Sequence, residues 1–381
     1  MGLSKALAHL ASRRLHVLLV EHPGAFVTRA RAERAVIARG WVLATSPADA
    51  DALLECGAAS DEPQTTAVEH VWSQVPGPRS RGRLETVVEI GPTLNALVAD
   101  YRQWSAKQAR PEPGPERPDD QQEPDDGHDD HDRQDGGQGE GDDMHDMGDM
   151  DGMDGMDGMD GDMDMDMSGP GGIALASGWD DDRDGLEMDV LHLTLGPVLA
   201  SWPAGLVVTA TLSGDVIAGV EVDVPPADAH AGTTTPTHTD THTEAALTVT
   251  AYRLDAAARV LDLAGADVLA ARARSARDQV LDGEAPDLVD LCRRVARSRA
   301  LRRSLRRVGP VGPQQAADHG WPGSWVGDAY DRLLRLTATS TETPSAATGL
   351  HTLGTALPDL LVGSELASAR LTVASLVGQR S

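Results

Sequence analysis

Between His128 and Met167 stand three histidines and nine methionines: His128, His131, Met144, His145, Met147, Met150, Met153, Met156, Met159, Met163, Met165 and Met167. Thioether sulfur is a soft ligand that suits Cu(I), imidazole suits copper, nickel and zinc, and carboxylates suit harder ions. From Met144 to Met159 the methionines recur at every third position, ending in Met-Asp-Gly units. That spacing allows many coordination geometries and fixes none. Two readings stand: a flexible collector of a soft metal ion, copper or nickel, or a solvating low-complexity linker. Loose ligands lose chain entropy on binding, which favours the linker. An inert spacer has no need of so many oxidisable sulfurs, which favours the collector. Calcium is disfavoured, because an EF-hand loop ends in a bidentate Glu that Asp151–Asp160 and its flank do not supply.

Other chemistry-bearing residues are sparse. Cys56 and Cys292 lie far apart and read as small buried residues of a reducing compartment. Cys56, next to Gly57 at a strand end, is the best single catalytic candidate, and a buried structural cysteine is the favoured reading of it. His230, His238 and His242 sit in a Thr-rich stretch whose β-branched residues disfavour a helix, so a solvated loop is expected. Eight arginines, Arg293, Arg294, Arg297, Arg299, Arg302, Arg303, Arg306 and Arg307, make a basic helical face. It is either a solvated face or a dock for acidic groups, on a partner or in this chain. The chain has no Gly-x-Ser-x-Gly elbow, no P-loop and no Gly-x-Gly-x-x-Gly opening a helix.

The elements that position these residues follow from charge and pattern. Formal net charge is -27 over 381 residues, concentrated in 111–167, where 23 Asp and Glu face two Arg. Such a charge disfavours nucleic acid, and the segment lacks the apolar residues to offset its ordering entropy, so disorder is expected. Three regions result: an α/β domain over 1–104, an acidic linker over 105–170, and an α+β and helical region over 171–381. In the first, His16–Val20, Trp41–Ala44, Ala52–Cys56 and Thr86–Ile90 read as strands, with helices over Arg29–Arg39, capped by Thr28, and Thr66–Gln74. Alternation of this kind implies a small, flavodoxin-like parallel sheet. Sites are then sought beyond the strand ends, at Glu21–Ala25, Cys56–Ser60 and Gly91–Asn95. In the third region Leu186–Leu195 and Gly205–Val224 read as hairpins with turns at Gly196-Pro197 and Ser213-Gly214-Asp215. Helices follow over Asp255–Leu281, Ala285–Arg307, Trp325–Thr337 and Ser364–Val377. No apolar run reaches the ~20 residues of a membrane span. The apolar stretch after Arg13-Arg14 is too short for an export signal, so a cytoplasmic protein is expected, reaching a membrane only through partners.

Leu15–Ile90 resembles the small, cluster-bearing subunit of respiratory complex I and NiFe hydrogenases. The resemblance is carried by Val17-Leu18-Leu19-Val20, by Ser46-Pro47-Ala48-Asp49-Ala50-Asp51-Ala52-Leu53-Leu54 and by Val71-Trp72-Ser73-Gln74-Val75-Pro76. Leu193–Val224 resembles the opening of the large partner subunit, which carries the quinone-reaction region in complex I. The carriers are Leu195-Gly196-Pro197-Val198, Trp202-Pro203-Ala204-Gly205-Leu206 and Leu212-Ser213-Gly214-Asp215-Val216. The arginine-rich helix resembles one of that same subunit. The ligands of the family do not accompany its frame. A four-iron cluster takes about four thiolates, yet the first loop reads Glu21-His22-Pro23-Gly24-Ala25, and Pro92 and Thr93 stand where a cysteine is expected. The large-subunit turn reads Val198-Leu199-Ala200-Ser201-Trp202-Pro203, without the family's histidine, and the nickel-holding Cys-x-x-Cys pairs are missing. The resemblance implies a cofactor-free accessory, assembly or structural subunit, with subunits of a complex I-like or hydrogenase-like assembly as partners. The alternatives are a metal-binding or metal-delivery protein working through the Met/Asp/His tract, and an oxidoreductase subunit of NADH:quinone type whose cofactor a partner holds.

Overall fold

An apolar run opens the fold as strand β1, His16–Glu21, with Val17, Leu18 and Val20 buried. It pairs in parallel with β2 (Val42–Leu43) and β3 (Ala52–Cys56), and β3 pairs in parallel with β4 (Ser80–Leu84). The sheet order is β2-β1-β3-β4. Strand β3 is central and buried throughout. Helices α1 (Phe26–Ala38) and α3 (Ile90–Gln108) cover one face through Ala32, Val36, Leu94, Leu97 and Tyr101. Helix α2 (Glu62–Gln74) covers the other, with Val68 against Leu18, Val20 and Leu53. This is the flavodoxin-like strand order, in which connections leave β1 and β3 in opposite directions and a crevice opens at their carboxyl ends.

The computed structural model describes residues 14–59, 62–108, 175–176, 190–224, 241–338 and 350–377. Beyond α3 comes an antiparallel sheet of β5 (Leu175–Ala176), β6 (Val190–Leu195), β7 (Val207–Ser213) and β8 (Val216–Asp223), in that order. Strand β7 alternates strictly, burying Val208, Ala210 and Leu212, so one face is core and the other is not. Eight helices follow among the described residues: α4 (Thr241–Leu263), α5 (Asp267–Leu281), α6 (Leu288–Arg297), α7 (Arg299–Leu305), α8 (Pro313–His319), α9 (Ala329–Thr337), α10 (Leu350–Leu361) and α11 (Leu366–Val377). The last two pack on the antiparallel sheet with Trp321 and Trp325. Helices α4 to α7 and α9 build a second core that takes in Phe26 and Ala30 of α1. Residues on both sides of Pro111–Met167 thus belong to one compact unit. No helix among the described residues is long and apolar enough to cross a membrane.

The α/β sheet, the hairpins and the helical region match the expected fold class, and several boundaries differ. Thr86–Ile90 is not a strand. Thr86 and Glu89 form a capping box around the 3-10 turn Val87–Glu89, and Ile90 opens α3. The fourth strand is instead Ser80–Leu84, whose arginines and glycine conceal it. Gly91–Asn95 therefore begins a helix rather than following a strand. Thr28 lies inside α1 and is buried, not a cap. Gly265, at φ 70°, splits the expected Asp255–Leu281 helix. Ser298 splits the next one and caps α7 by accepting from the Leu301 N–H. Helix α10 was hidden by Gly354 and Pro358. The expected linker lies for the most part outside the described residues.

Candidate functional site

The predicted metal ligands His128, His131, Met144, His145, Met147, Met150, Met153, Met156, Met159, Met163, Met165 and Met167 lie outside the described residues. So do His230 and His238. Helix α4 begins at Thr241, so the backbone at His242 is helical rather than the expected loop.

Of the three segments singled out by the strand-end rule, two meet at the crevice beyond β1 and β3, where the His22 N–H donates to the Cys56 carbonyl at 2.9 Å and Gly57 lies against Ala25, while Gly91–Asn95 lies in α3. The buried His22 ring lies between two acceptors, with Nε2 3.4 Å from Glu55 Oε2 and Nδ1 3.3 Å from Gln64 Oε1. Glu55 also accepts from Arg81 Nε at 2.9 Å and Arg83 Nη2 at 3.1 Å. Burial alone would raise the Glu55 carboxyl. Hydrogen bonds from His22, Arg81 and Arg83 reverse that and bring it down to about 2. Cys56 points to the opposite face, fully buried, and desolvation pushes its thiol up to about 12. A thiol so protonated is a poor nucleophile, which favours the structural reading. Cys292 is on α6, a different element.

The arginine face is divided between α6, α7 and the two residues that follow α7, Arg306 and Arg307. Leu291, Val295, Leu301 and Leu305 turn into the core while all eight arginines are exposed. Among the described residues one of the eight forms an ion pair, Arg294 with Asp290 at 2.7 Å.

The largest concentration of chemistry lies where α1 meets α4 and α5, and sequence reasoning missed it. Arg29 donates to three carboxylates: Glu21 at 3.0 Å, Glu33 at 2.7 Å and Asp255 at 2.5 Å. Arg259 donates to Asp255 at 2.9 Å, Glu21 at 2.7 Å and the Trp202 carbonyl at 2.8 Å. Arg277, wholly buried, donates to Glu33 at 2.7 Å, Asp255 at 2.6 Å and Asp278 at 2.9 Å. Arg274 pairs with Glu33 at 2.5 Å and with Asp262. Burial opposes the charged form of Asp255, and Arg29, Arg259 and Arg277 outweigh it, holding the carboxyl well below the usual range. Glu33 is lowered against its burial by Arg277, Arg29 and Arg274. At the edge of the network the balance reverses: burial raises Asp262 and Asp278 despite their arginines.

Beside this network lies a cleft of about 420 Å³. Strand β1, the residues after β2, the turn Pro197–Trp202 and helices α4 and α5 line it. Val17, Leu19, Leu43, Val198 and Leu199 supply apolar wall, while Glu21, Arg29, Glu33, Asp255, Arg259, Asp262, Asp267 and Arg274 supply charge. The Trp202 indole N–H donates to the Leu206 carbonyl at 2.9 Å and fixes the turn. Gly196, at φ 87°, admits it, since a Cβ there would collide with that carbonyl and the indole. The network had one legible signal: Arg29/Glu33 and Asp255/Arg259 are four residues apart on alanine-rich helices. Alanines let helices approach closely enough to bury such pairs. Comparison with protein-family models, curated proteins and solved structures finds no match to this chain.

Proposed function

We propose that this chain is a cofactor-free relative of the small and large subunits of complex I and NiFe hydrogenases, fused in one polypeptide and serving as an accessory or assembly subunit of a redox complex. The observation that carries this reading is the buried ion-pair seam. It joins the part that resembles the small subunit to the part that resembles the large one through Arg29–Asp255, Arg259–Glu21 and Arg277–Glu33. A seam of this kind supports reading the two parts as a fused pair. Its two cysteines, on separate elements, offer no four-thiolate set. The exposed arginines of α6 and α7 supply a docking face for an acidic partner subunit, through contacts that steer association and weaken with salt.

The test is cross-linking of the tagged full chain in its own cells, followed by mass spectrometry, with wild type compared to a variant carrying Arg293→Glu, Arg297→Glu, Arg299→Glu and Arg303→Glu. Iron–sulfur or quinone-reactive subunits should cross-link to the wild type and fall at least tenfold in the variant. Cross-links to no redox subunit would refute the accessory role.

A further inference from the structure

We infer that the cleft between β1, the Pro197–Trp202 turn and α5 binds a small organic cation, an amine or amidine carried on a compact apolar body. Its volume of about 420 Å³ falls in the range of small-molecule pockets, about 300–1,000 Å³. Val17, Leu19, Leu43 and Leu199 give the apolar body a surface.

The polar end selects the sign of the charge. Every guanidinium that reaches the cleft is committed. Arg29 serves three carboxylates, Arg259 serves two and a carbonyl, and Arg274 serves Glu33 and Asp262. Among the described residues no arginine that lines the cleft is left to receive an anion. Carboxylates, by contrast, remain in excess. Among the described residues Asp262 pairs through Oδ2 alone, and Asp267, a lining residue that is exposed, has no ion pair. Burial raises the Asp262 carboxyl even with Arg274 beside it, so a second positive group there relieves an unfavourable charge. A neutral carbonyl ligand such as a quinone gains nothing from these acceptors, because it has no proton to offer them. Thr45 and Ser201, also in the lining, can donate or accept and do not discriminate. The site stands or falls independently of the accessory role.

A ring-matched series reads the charge directly: benzamidine, benzamide and benzoate, titrated calorimetrically into the full chain at low salt, with decylubiquinone as a neutral quinone. Because a net charge of -27 attracts any cation weakly, the signal is the difference between wild type and Asp262→Asn, with Asp318→Asn, on exposed α8, as the remote control. Benzamidine should bind about tenfold or more tighter than benzamide, with no heat from benzoate. Asp262→Asn should lose about tenfold of that affinity with no fall in melting temperature, and Asp318→Asn should lose none. Equal affinity for benzamidine and benzamide, unchanged binding in Asp262→Asn, or tighter binding of the quinone would overturn the assignment.

Discussion

Asp255 holds three guanidiniums in the interior, which makes it the residue with most to lose. Asp255→Asn keeps the shape and removes the charge, leaving Arg29, Arg259 and Arg277 short of a counter-ion. Breaking a buried pair in this way costs about 3–5 kcal/mol, read as a fall in the urea midpoint. Asp262→Asn, 7 residues further on, should behave oppositely. Its carboxyl is raised by burial, so its charged form is already disfavoured. Neutralising it should leave stability at neutral pH unchanged or slightly higher. The pH dependence has a definite sign. Asp255, Glu33 and Glu55 have lowered folded values. Their stabilisation is present above their unfolded values and is lost as pH falls through the folded ones. For Glu55 the window runs from 4.5 down to about 2. Asp262 and Asp278 work the other way, relieving strain as they protonate, and being at the network's edge they offset only part of the loss. Stability should therefore decline steadily below about pH 4.5, measured as urea midpoints between pH 2 and 7. A flat profile would remove the seam from the stability account.

Among the elements, the strands with plain apolar patterns were legible and those stabilised by charge were not. Val17–Val20 and Leu53–Leu54 announce β1 and β3 by composition. Strand β4 reads Ser-Arg-Gly-Arg-Leu, and its reason for being a strand lies in its neighbour. In register, Arg83 stands beside Glu55 and Arg81 beside Leu53, so both guanidiniums reach the buried carboxylate. A sequence pattern scored one segment at a time does not contain that pairing. The seam was missed for the same reason: Arg29 and Glu33 form an ordinary exposed-looking pair on α1 until Asp255 and Arg277, more than 200 residues away, close over them. The turn after β3 was legible, since Gly57 was placed at the strand end. At φ 88° its added Cβ would lie 2.7 Å from Ala25 Cβ and 3.2 Å from His22 Cβ. Gly57→Ala should cost about 1–3 kcal/mol, from the left-handed backbone and the clash together, measured by thermal melting.

At the scale of the molecule, the core around Phe26, Ala30, Leu254 and Leu261 is shared by sequence regions on both sides of the acidic segment. Opening one side exposes charges belonging to the other. Native-state hydrogen exchange should therefore find the amides of β3 and of α4 around 254–261 opening with the same free energy, and Asp255→Asn should lower both together. Two separate values, with only one affected, would mean independent domains. The proposed accessory role makes a stricter demand on the intact chain, because Cys56 is sealed in the sheet core and Cys292 sits on another element. The direct measurement is anaerobic incubation of the full chain with iron and sulfide, desalting, and a count of iron retained per chain alongside the visible spectrum. The account predicts no stoichiometric iron and no cluster absorption band; four irons per chain with that band would contradict it.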